Sequence, residues 1–585
     1  MNRNLHASLA ALMLVVGGCG SSDAADPSSA TDDGATPDGA TIGDETGGTP
    51  PGDGATPPDS AVPPAVPTVS SWLGTNVAAD LPRVDVAQQL SPFDTAASSK
   101  DENGYPVAGA SGKSSTDIGF IFPTGTYKIS FKGNGTLQVS GIGALAGAWT
   151  TVGDEQRNTL QITGTPGEFG HFLTLQITNA PGQSVHDVHI VFPGFDFDTK
   201  EVFLPEFLRL LKPFRALRFM EWENINGSTL TTWAERPKAA SFGASPFGMP
   251  WEHIVELVNQ TGKDCWIAIP EHANDEFVAQ LAHFVASQLD FARIEAARTS
   301  QGFKSPFRLI LENSNETWNN GFSVYGTFLA AAKADPSRYD GKYAGKYGPD
   351  WMSGNADLMK VGQYEADRLV KAAEVFRKEL SAIGKADVVA PVLSGWAIGA
   401  VYSDVALRFI RDHYGEPSKY ITYVATAPYF GPEDKDTGAL PALFSATNAN
   451  IDSMDATFQD FAKLVKEYGL QMAAYEGGQG LSGNTNLTIK HLAQHDQRMY
   501  DAYNRYFALW KKNFGDSLFM HFDLTGVAGL PEFIYQYGFW GSIVSVMEDP
   551  AKCSSSLPTL TGAESVSDVV HHCPKYRALM EQVPR

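Results

Sequence analysis

Between about residues 196 and 548, short apolar runs alternate with longer stretches of helical periodicity. Continuous apolar runs are typical of parallel strands that are buried on both faces. Seven such strands are predicted, at 216–220, 265–269, 308–311, 387–393, 421–425, 470–474 and 517–522. Helices are predicted between them, among others at 207–211, 251–260, 276–289, 358–383 and 457–467. This alternation indicates an α/β fold with a parallel sheet.

An eighth strand is predicted upstream, at 72–76. Eight parallel strands with intervening helices predict a (β/α)₈ TIM barrel occupying residues 196–550, with its first strand in the region 68–104. A doubly wound open sheet is the competing architecture. No Gly-x-Gly-x-x-Gly follows any of the strands, so a dinucleotide-binding sheet has little support.

Residues 105–195 have a different texture, in which apolar and polar positions alternate between Gly, Pro and Asn turns. Strands are predicted at 126–131, 136–139, 160–162 and 188–192, with a hairpin turn at 132–135. This segment predicts a small all-β sandwich. If 72–76 is the first barrel strand, the sandwich is inserted into the barrel; otherwise it is an N-terminal domain.

The first 19 residues have the pattern of an export signal, with Arg3 ahead of an apolar core at 9–16. That core is too short to cross a bilayer as a helix. The small residues before Cys19 resemble the lipobox of bacterial lipoproteins, and the resemblance implies that Cys19 is lipidated and becomes the mature N-terminus. The alternative is ordinary cleavage that leaves Cys19 free.

Residues 20–67 contain nine Asp or Glu, no Lys or Arg and no aromatic residue. Such a segment cannot bury enough apolar surface to offset its ordering entropy, so we expect a disordered acidic linker. Signal and linker together predict an exported bacterial lipoprotein at the cell surface or outer membrane, or in the extracellular space. Contact with the membrane would be made only through the lipid at Cys19.

The chain carries a formal net charge of -22. Binding to nucleic acid depends on neutralising phosphates with Lys and Arg, so this charge argues against a nucleic-acid partner. The C-terminal tail, 551–585, contains Cys553 and Cys573, which we predict to form a disulfide, whereas Cys265 is expected to be a buried free thiol. No metal site and no cofactor are expected, because no Cys/His spacing fits a zinc site. We expect a monomer.

Polar residues cluster where the predicted strands end, which is where a TIM barrel carries its active site. The fourth strand leads to Asn315 and Glu316, and the seventh leads to Glu476. Two carboxyl groups at two strand ends are the minimum equipment for breaking a glycosidic bond. The other candidate residues at strand ends are Arg218, His272 and Tyr429.

These motifs resemble clan A glycoside hydrolases, the retaining (β/α)₈ enzymes. The resemblance implies that Glu316 is the acid/base, that Glu476 is the nucleophile and that Asn315 binds the sugar 2-hydroxyl. It also matches Arg218 to an arginine beside the nucleophile, and places His272 and Tyr429 among the substrate-binding residues. The strand-six His-x-Tyr of some members is not present, because Ala427 occupies the His position.

Retaining hydrolysis needs one ionised carboxylate and one protonated carboxyl group about 5–5.5 Å apart. Arg218 near Glu476 would keep Glu476 ionised, and repulsion from that charge would favour a proton on Glu316. The alternative for the two glutamates is that they are rim carboxylates, each in a structural ion pair with a basic residue. Arg218 has the alternative of pairing with Glu221 or Glu223, and His272 that of a polar rim residue. Glu312 is expected to be a structural hydrogen-bonding residue.

Flat aromatic side chains stack well on the apolar faces of sugar rings. Four tryptophans follow predicted strands and suggest substrate subsites, although each has the alternative of a core residue: Trp222, Trp233, Trp396 and Trp540. The leading hypothesis is therefore a retaining glycoside hydrolase that cleaves β-linked poly- or oligosaccharides. The alternatives are a non-catalytic carbohydrate-binding surface lipoprotein on a hydrolase-like fold, and an adhesive lipoprotein whose active unit is the sandwich.

Overall fold

The computed structural model describes residues 69–77, 82–118, 122–163, 170–347, 350–432, 437–525, 539–543, 545–547, 556–566, 569 and 573–583. The predicted signal, Cys19, the whole acidic linker and Cys553 lie outside the described residues. Cys573 is buried and disulfide-bonded, and its pairing with Cys553 stays a prediction. Cys265 is a buried free thiol.

Sixteen strands are present in the described part of the chain. They are β1 (Leu73–Asn76), β2 (Ser111–Asp117), β3 (Gly125–Gly133), β4 (Thr136–Gly141), β5 (Gly143–Leu145), β6 (Thr150–Val152), β7 (Glu155–Ile162), β8 (Phe172–Thr178), β9 (Val185–Val191), β10 (Ala216–Arg218), β11 (Asp264–Ile269), β12 (Leu309–Asn313), β13 (Val389–Gly395), β14 (Tyr423–Thr426), β15 (Gln471–Ala474) and β16 (Phe519–His521).

Strands β1 and β10 to β16 form a closed barrel in chain order. Every neighbouring pair is parallel, and β1 closes the ring by pairing with both β10 and β16. Thr75, for example, lies opposite Leu217 on one side and His521 on the other. The predicted TIM barrel is thus confirmed, and the open doubly wound alternative is excluded because its sheet would have two free edges.

The barrel is filled by side chains that point inward from its strands. Trp266 and Tyr475 are the largest of this interior group, and both are fully buried. The other members are Ala216, Ile310, Ala390, Val392, Tyr423, Ala425, Ala427, Ala473, Leu518 and Met520. Large rings and small alanine side chains thus share one buried cluster, so the interior is packed like a core.

Helices surround the barrel and connect its strands. They are α1 (Pro205–Leu211), α2 (Trp251–Thr261), α3 (Asp275–Gln288), α4 (Phe291–Ser300), α5 (Ser323–Ala334), α6 (Asp350–Ser353), α7 (Ala356–Ser381), α8 (Val401–His413), α9 (Leu440–Tyr468), α10 (Leu487–Ala493), α11 (Gln497–Phe514) and α12 (Pro574–Met580).

Local sequence explains several helix ends. Asn274 caps α3 by accepting a hydrogen bond from Phe277 N, and Asn355 caps α7 in the same way from Leu358 N. Helices α2 and α9 both end at a glycine in the left-handed region, Gly262 and Gly469, where a side chain would be strained. None of the helices in the described ranges is long and apolar enough to cross a membrane.

Strands β2 to β9 lie between β1 and β10 along the chain and form two antiparallel sheets. One has the order β2-β8-β4, and the other has the order β5-β7-β3-β9 with β6 beside β7. Alternate residues of their strands, such as Ile129 and Leu175, are fully buried. This all-β unit therefore follows the first barrel strand and precedes the second.

Candidate active site

Arg218, the last residue of β10, is the centre of the polar cluster at the carboxyl ends of the barrel strands. Its guanidinium is fully buried. Nε donates to Glu312 Oε2 (2.9 Å), and Nη2 donates to Asn315 Oδ1 (2.8 Å). Nη1 donates to Glu476 Oε1 (2.8 Å) and to Asn76 Oδ1 (3.0 Å). Arg218 thus pairs with carboxylates from the fourth and seventh strands, and one planar fork ties four strand ends together.

Glu476 follows the seventh strand, β15, and is almost fully buried. Besides the bond from Arg218, its Oε2 accepts a hydrogen bond from the Tyr429 hydroxyl (2.9 Å). Tyr429 stands just beyond the sixth strand, β14. Each carboxylate oxygen of Glu476 therefore has a donor aimed at it, as an ionised carboxylate requires when it is removed from water.

Glu316 follows the fourth strand, β12, and is half-buried at the barrel mouth. The chain turns there through two residues in the left-handed region, Ser314 (φ 52°) and Glu316 itself (φ 43°). Such a conformation is costly for a residue with a side chain and clusters at functional sites. Glu316 Oε2 accepts a hydrogen bond from Asn319 Nδ2 (2.8 Å).

The two carboxyl groups have unequal surroundings. Burial raises the pKa of Glu316 to about 8, repulsion from Glu476 adds to the rise, and the bond from Asn319 opposes it. Burial also raises the pKa of Glu476, but there Arg218 and Tyr429 oppose the rise because they stabilise the ionised form. These surroundings therefore favour a proton on Glu316 and the charge on Glu476.

Asn315 lies beneath Glu316 and is held at both ends of its amide. Its Oδ1 accepts from Arg218, and its Nδ2 donates to Asn226 Oδ1 (3.1 Å). These two bonds fix the orientation of the amide, with its oxygen toward Arg218 and its nitrogen toward Asn226. Asn315 is nearly fully buried, so its position is set before any ligand arrives.

Glu312 forms the floor of the cluster and is fully buried. It accepts hydrogen bonds from Arg218, from Trp266 Nε1 (2.8 Å) and from Ser394 Oγ (2.6 Å). Donors on three other strands thus hold this carboxylate in place. These contacts fit the structural hydrogen-bonding role predicted for Glu312. It is a second counterion of Arg218 and helps to keep the guanidinium in position.

Some predicted substrate-binding residues lie elsewhere. Trp222 is a core residue rather than a subsite, because it is 1 % exposed and packs with Phe203 and Phe207 outside the barrel wall. Trp233 packs on Phe277, also away from the cluster. His272 contacts Glu271 (3.2 Å) and not the two carboxyl groups, and its side chain is 42 % exposed.

Trp540 and Trp396 are half-buried and belong to aromatic groups that reach the site. The ring of Trp540 meets Phe522 edge-on at 5.5 Å, and Phe522 in turn meets Tyr429 edge-on at 6.1 Å. Trp396 stacks on Trp318 at 5.1 Å. One group thus leads to the tyrosine that bonds Glu476, and the other leads to the loop that carries Glu316.

Two contributors were missed by sequence reasoning. Asn76 ends the first strand, accepts from Arg218, and donates to Tyr475 O (3.0 Å) and His521 O (3.3 Å). Asn319 donates to Glu316. Asn76 could have been identified from its place at the end of a predicted barrel strand. Asn319 could have been identified from its position three residues after Glu316.

No protein-family model matches the chain, and no curated protein does. Among solved structures, the xylanase 10B CBM22-1–GH10 modules of Clostridium thermocellum are similar, with 11% identity over 86% of this chain and 94% of that one (TM-score 0.36). A GH51 arabinofuranosidase from Xanthomonas axonopodis pv. citri shares 12% identity over 60% of this chain and 64% of that one (TM-score 0.33). A GH5-4 endoglucanase from Ruminococcus champanellensis shares 13% identity over 66% of this chain and 87% of that one (TM-score 0.31).

Likeness at this level identifies no activity or substrate. The fold rests on the closed strand order of this chain, and the function rests on its own carboxyl groups.

Proposed function

We propose that the protein is a retaining glycoside hydrolase that cleaves β-glycosidic bonds in a poly- or oligosaccharide. The observation that carries this proposal is the unequal pair at the ends of the fourth and seventh barrel strands. Glu476 is held by Arg218 and Tyr429, which favour its charge, whereas burial and the charge of Glu476 favour a proton on Glu316. One nucleophile and one acid are what a double displacement requires.

In the first step a Glu476 oxygen attacks the anomeric carbon, and the bond from that carbon to the leaving sugar oxygen breaks. The leaving oxygen takes the proton of Glu316. In the second step a water molecule gives a proton to the Glu316 carboxylate and attacks the same carbon, which releases Glu476. Two inversions restore the original anomeric configuration, with one water consumed per bond cleaved.

Arg218 contributes to both reaction steps through its charge and its position. It disperses the negative charge of Glu476 before attack and remains as a counterion when the carboxylate is regenerated. Asn315 presents an amide beside the acid, with its orientation set by Arg218 and Asn226. We assign it the sugar 2-hydroxyl, a contact that strengthens in the oxocarbenium-like transition state.

The decisive test is product stereochemistry followed by NMR on an activated aryl β-glycoside. Retention is expected, and inversion would overturn the mechanism. Glu476→Gln should abolish turnover with the fold intact. The matched control is Glu271→Gln, which alters another buried carboxyl group, one bonded to Ser323 (3.2 Å) and not to the cluster. Binding without any turnover in the wild type would favour the non-catalytic alternative.

A second test separates the two carboxyl roles. Glu316→Ala should slow substrates with poor leaving groups far more than activated ones, because only the former need a proton on the departing oxygen. Added azide should restore part of the rate on activated substrates by replacing water in the second step. Equal losses on both substrates without rescue would contradict an acid/base role.

We further propose that Cys19 carries a lipid and that the acidic linker holds the folded part off the membrane surface. The proposal rests on the small residues before Cys19 and on the composition of 20–67. Cys19→Ser should move the protein from the membrane fraction to the soluble fraction of the producing cell. Unchanged membrane association would refute the anchor.

A further inference from the structure

Three indole rings form a row beside Glu316. Trp318 lies two residues after Glu316 and stacks face to face on Trp396, with ring centroids 5.1 Å apart and an interplanar angle of 8°. Trp351, on α6, meets Trp396 edge-on at 5.6 Å. These residues come from three separate segments of the chain. Their convergence is therefore a feature of the fold and not of one local sequence.

The inner end of the row is anchored in the barrel. Trp318 is 8 % exposed, and its Nε1 donates to the Tyr475 hydroxyl (3.1 Å). Tyr475 belongs to the barrel interior and directly precedes Glu476. One polar contact thus joins the aromatic row to the strand that carries the nucleophile, so the first ring has a fixed position relative to both carboxyl groups.

The outer end of the row is exposed to solvent. Trp351 is 57 % exposed, and Ile398, two residues after Trp396, is 52 % exposed. These are the two most exposed large hydrophobic residues in the described part of the chain. A tryptophan exposed to water beside an active site lacks the stabilisation that burial would provide. Exposed apolar surface of this kind is typical of a site that binds the apolar face of a ligand.

We infer that the row Trp318–Trp396–Trp351 is a subsite for the leaving-group side of a β-linked glycan chain. The inference rests on the proposed function and specifies where the substrate continues. The row starts at Glu316, the residue that protonates the departing oxygen, so sugars stacked along it belong to the part of the chain that leaves. The exposed ring of Trp351 suits the apolar face of a sugar unit, and the buried Trp318 and half-buried Trp396 hold that ring in place.

The other aromatic group lies on the opposite side of the carboxyl pair. Trp540 and Phe522 follow the eighth strand and reach Tyr429, the residue bonded to Glu476. Aromatic surface on both sides of the cleavage point suits a chain that extends in both directions. The substrate is therefore an oligosaccharide of several units or a polymer cut internally, and not a terminal sugar removed from a short aglycone.

The test compares two substrate lengths in one assay. The probes are xylohexaose, cellohexaose and mannohexaose, each beside the p-nitrophenyl β-glycoside of its sugar. For the sugar that the wild type cleaves, Trp351→Ala should lower the ratio of kcat/KM on the hexaose to kcat/KM on the aryl glycoside about tenfold. The loss should fall mainly on KM. Trp351→Phe keeps a flat ring and should retain most of the ratio.

An unchanged ratio in Trp351→Ala would overturn the inference, since the row would then contribute nothing to chain binding. An equal fall on both substrates would also overturn it, because it would indicate a general structural effect. Turnover of an aryl glycoside without turnover of any hexaose would sink the subsite but leave the proposed hydrolase standing. Turnover of neither substrate type would refute the proposed function, and the subsite would fall with it.

Discussion

Asn319 Nδ2 donates a hydrogen bond of 2.8 Å to Glu316 Oε2, and it does so to a carboxyl group whose pKa burial has raised to about 8. The donor favours the ionised form and so works against burial and against the charge of Glu476. The proton affinity of Glu316 is thus a balance, and Asn319 keeps the acid from becoming too weak to release its proton.

Asn319→Ala should move the alkaline limb of kcat/KM to higher pH. The wild-type limb is expected near pH 8, because activity needs the proton that Glu316 loses there. Without Asn319 the ionised form loses its donor, and the pKa rises further. A pH–rate profile on an aryl glycoside measures the shift. The control is Asn320→Ala, an exposed neighbour, and a limb that stays in place in Asn319→Ala would contradict the balance described above.

Tyr429→Phe should move the acidic limb to higher pH while leaving the alkaline limb nearly in place. The Tyr429 hydroxyl donates to Glu476 and helps to hold the pKa of that carboxyl group down against burial. The nucleophile of the variant then stays protonated to higher pH. The same pH–rate measurement reads both limbs. A shift of the alkaline limb alone would contradict this role, because it would mean that the Tyr429 hydroxyl acts on the pKa of Glu316 and not on that of Glu476.

Glu316→Gln should change how stability depends on pH. The pKa of Glu316 rises from 4.5 to about 8 on folding, so the folded protein favours its neutral form. The stability associated with that proton is fully present below pH 4.5 and is lost as pH rises through about 8. Glutamine is neutral throughout. Relative to the variant, the wild type should therefore lose melting temperature between pH 5 and pH 9.

Melting curves of both proteins at several pH values between 5 and 9 give this difference, to which Glu476 also contributes because its charge interacts with that of Glu316. The expected sign is a wild type that becomes relatively less stable with rising pH. A constant difference would mean that Glu316 has an ordinary pKa in the folded protein, and the acid assigned to the mechanism would lose its physical basis.

The barrel was predictable because its strands are continuous apolar runs that need no knowledge of their partners. Glu316 and Glu476 were predictable for a related reason, since the end of a strand marks the barrel mouth. The start of α9 was not, because 440–456 is rich in Ala, Asn and Ser, although its buried residues Leu440, Leu443, Phe444 and Ile451 recur at helical spacing. Its predicted beginning at 457 was therefore wrong by more than four turns.

The parts of the site that escaped prediction depend on contacts between distant segments. Asn76 meets Arg218 only because β1 pairs with β10 although the whole all-β unit separates them along the chain, and Trp351 meets Trp396 only because α6 folds against the loop that follows β13. The predicted substrate subsite at Trp222 was wrong for a different reason. Proximity to a strand end does not say on which side of the barrel wall a ring lies, and the apolar pocket between Phe203 and Phe207 buries it outside.

Lys575 joins the C-terminal helix α12 to the active-site rim. Its buried ammonium donates to the carbonyl oxygens of Phe539 and Trp540, and the Phe539 carbonyl also accepts from Gln479. Trp540 stands against Phe522 and belongs to the aromatic group on the Glu476 side. The tail helix therefore holds the segment that carries Trp540, and Lys575 is a positioning residue for it.

Lys575→Met should raise KM several-fold for β-linked oligosaccharides while changing kcat less. Methionine fills similar space but leaves two buried carbonyls without this donor, which costs about 1–3 kcal/mol of stability. A looser Trp540 weakens substrate contact without touching the carboxyl pair. The control is Arg577→Ala on the same helix, where Arg577 lies over the Tyr500 ring instead. A loss of kcat with unchanged KM would contradict this role, because it would place the effect of Lys575 on the chemical step and not on the binding surface.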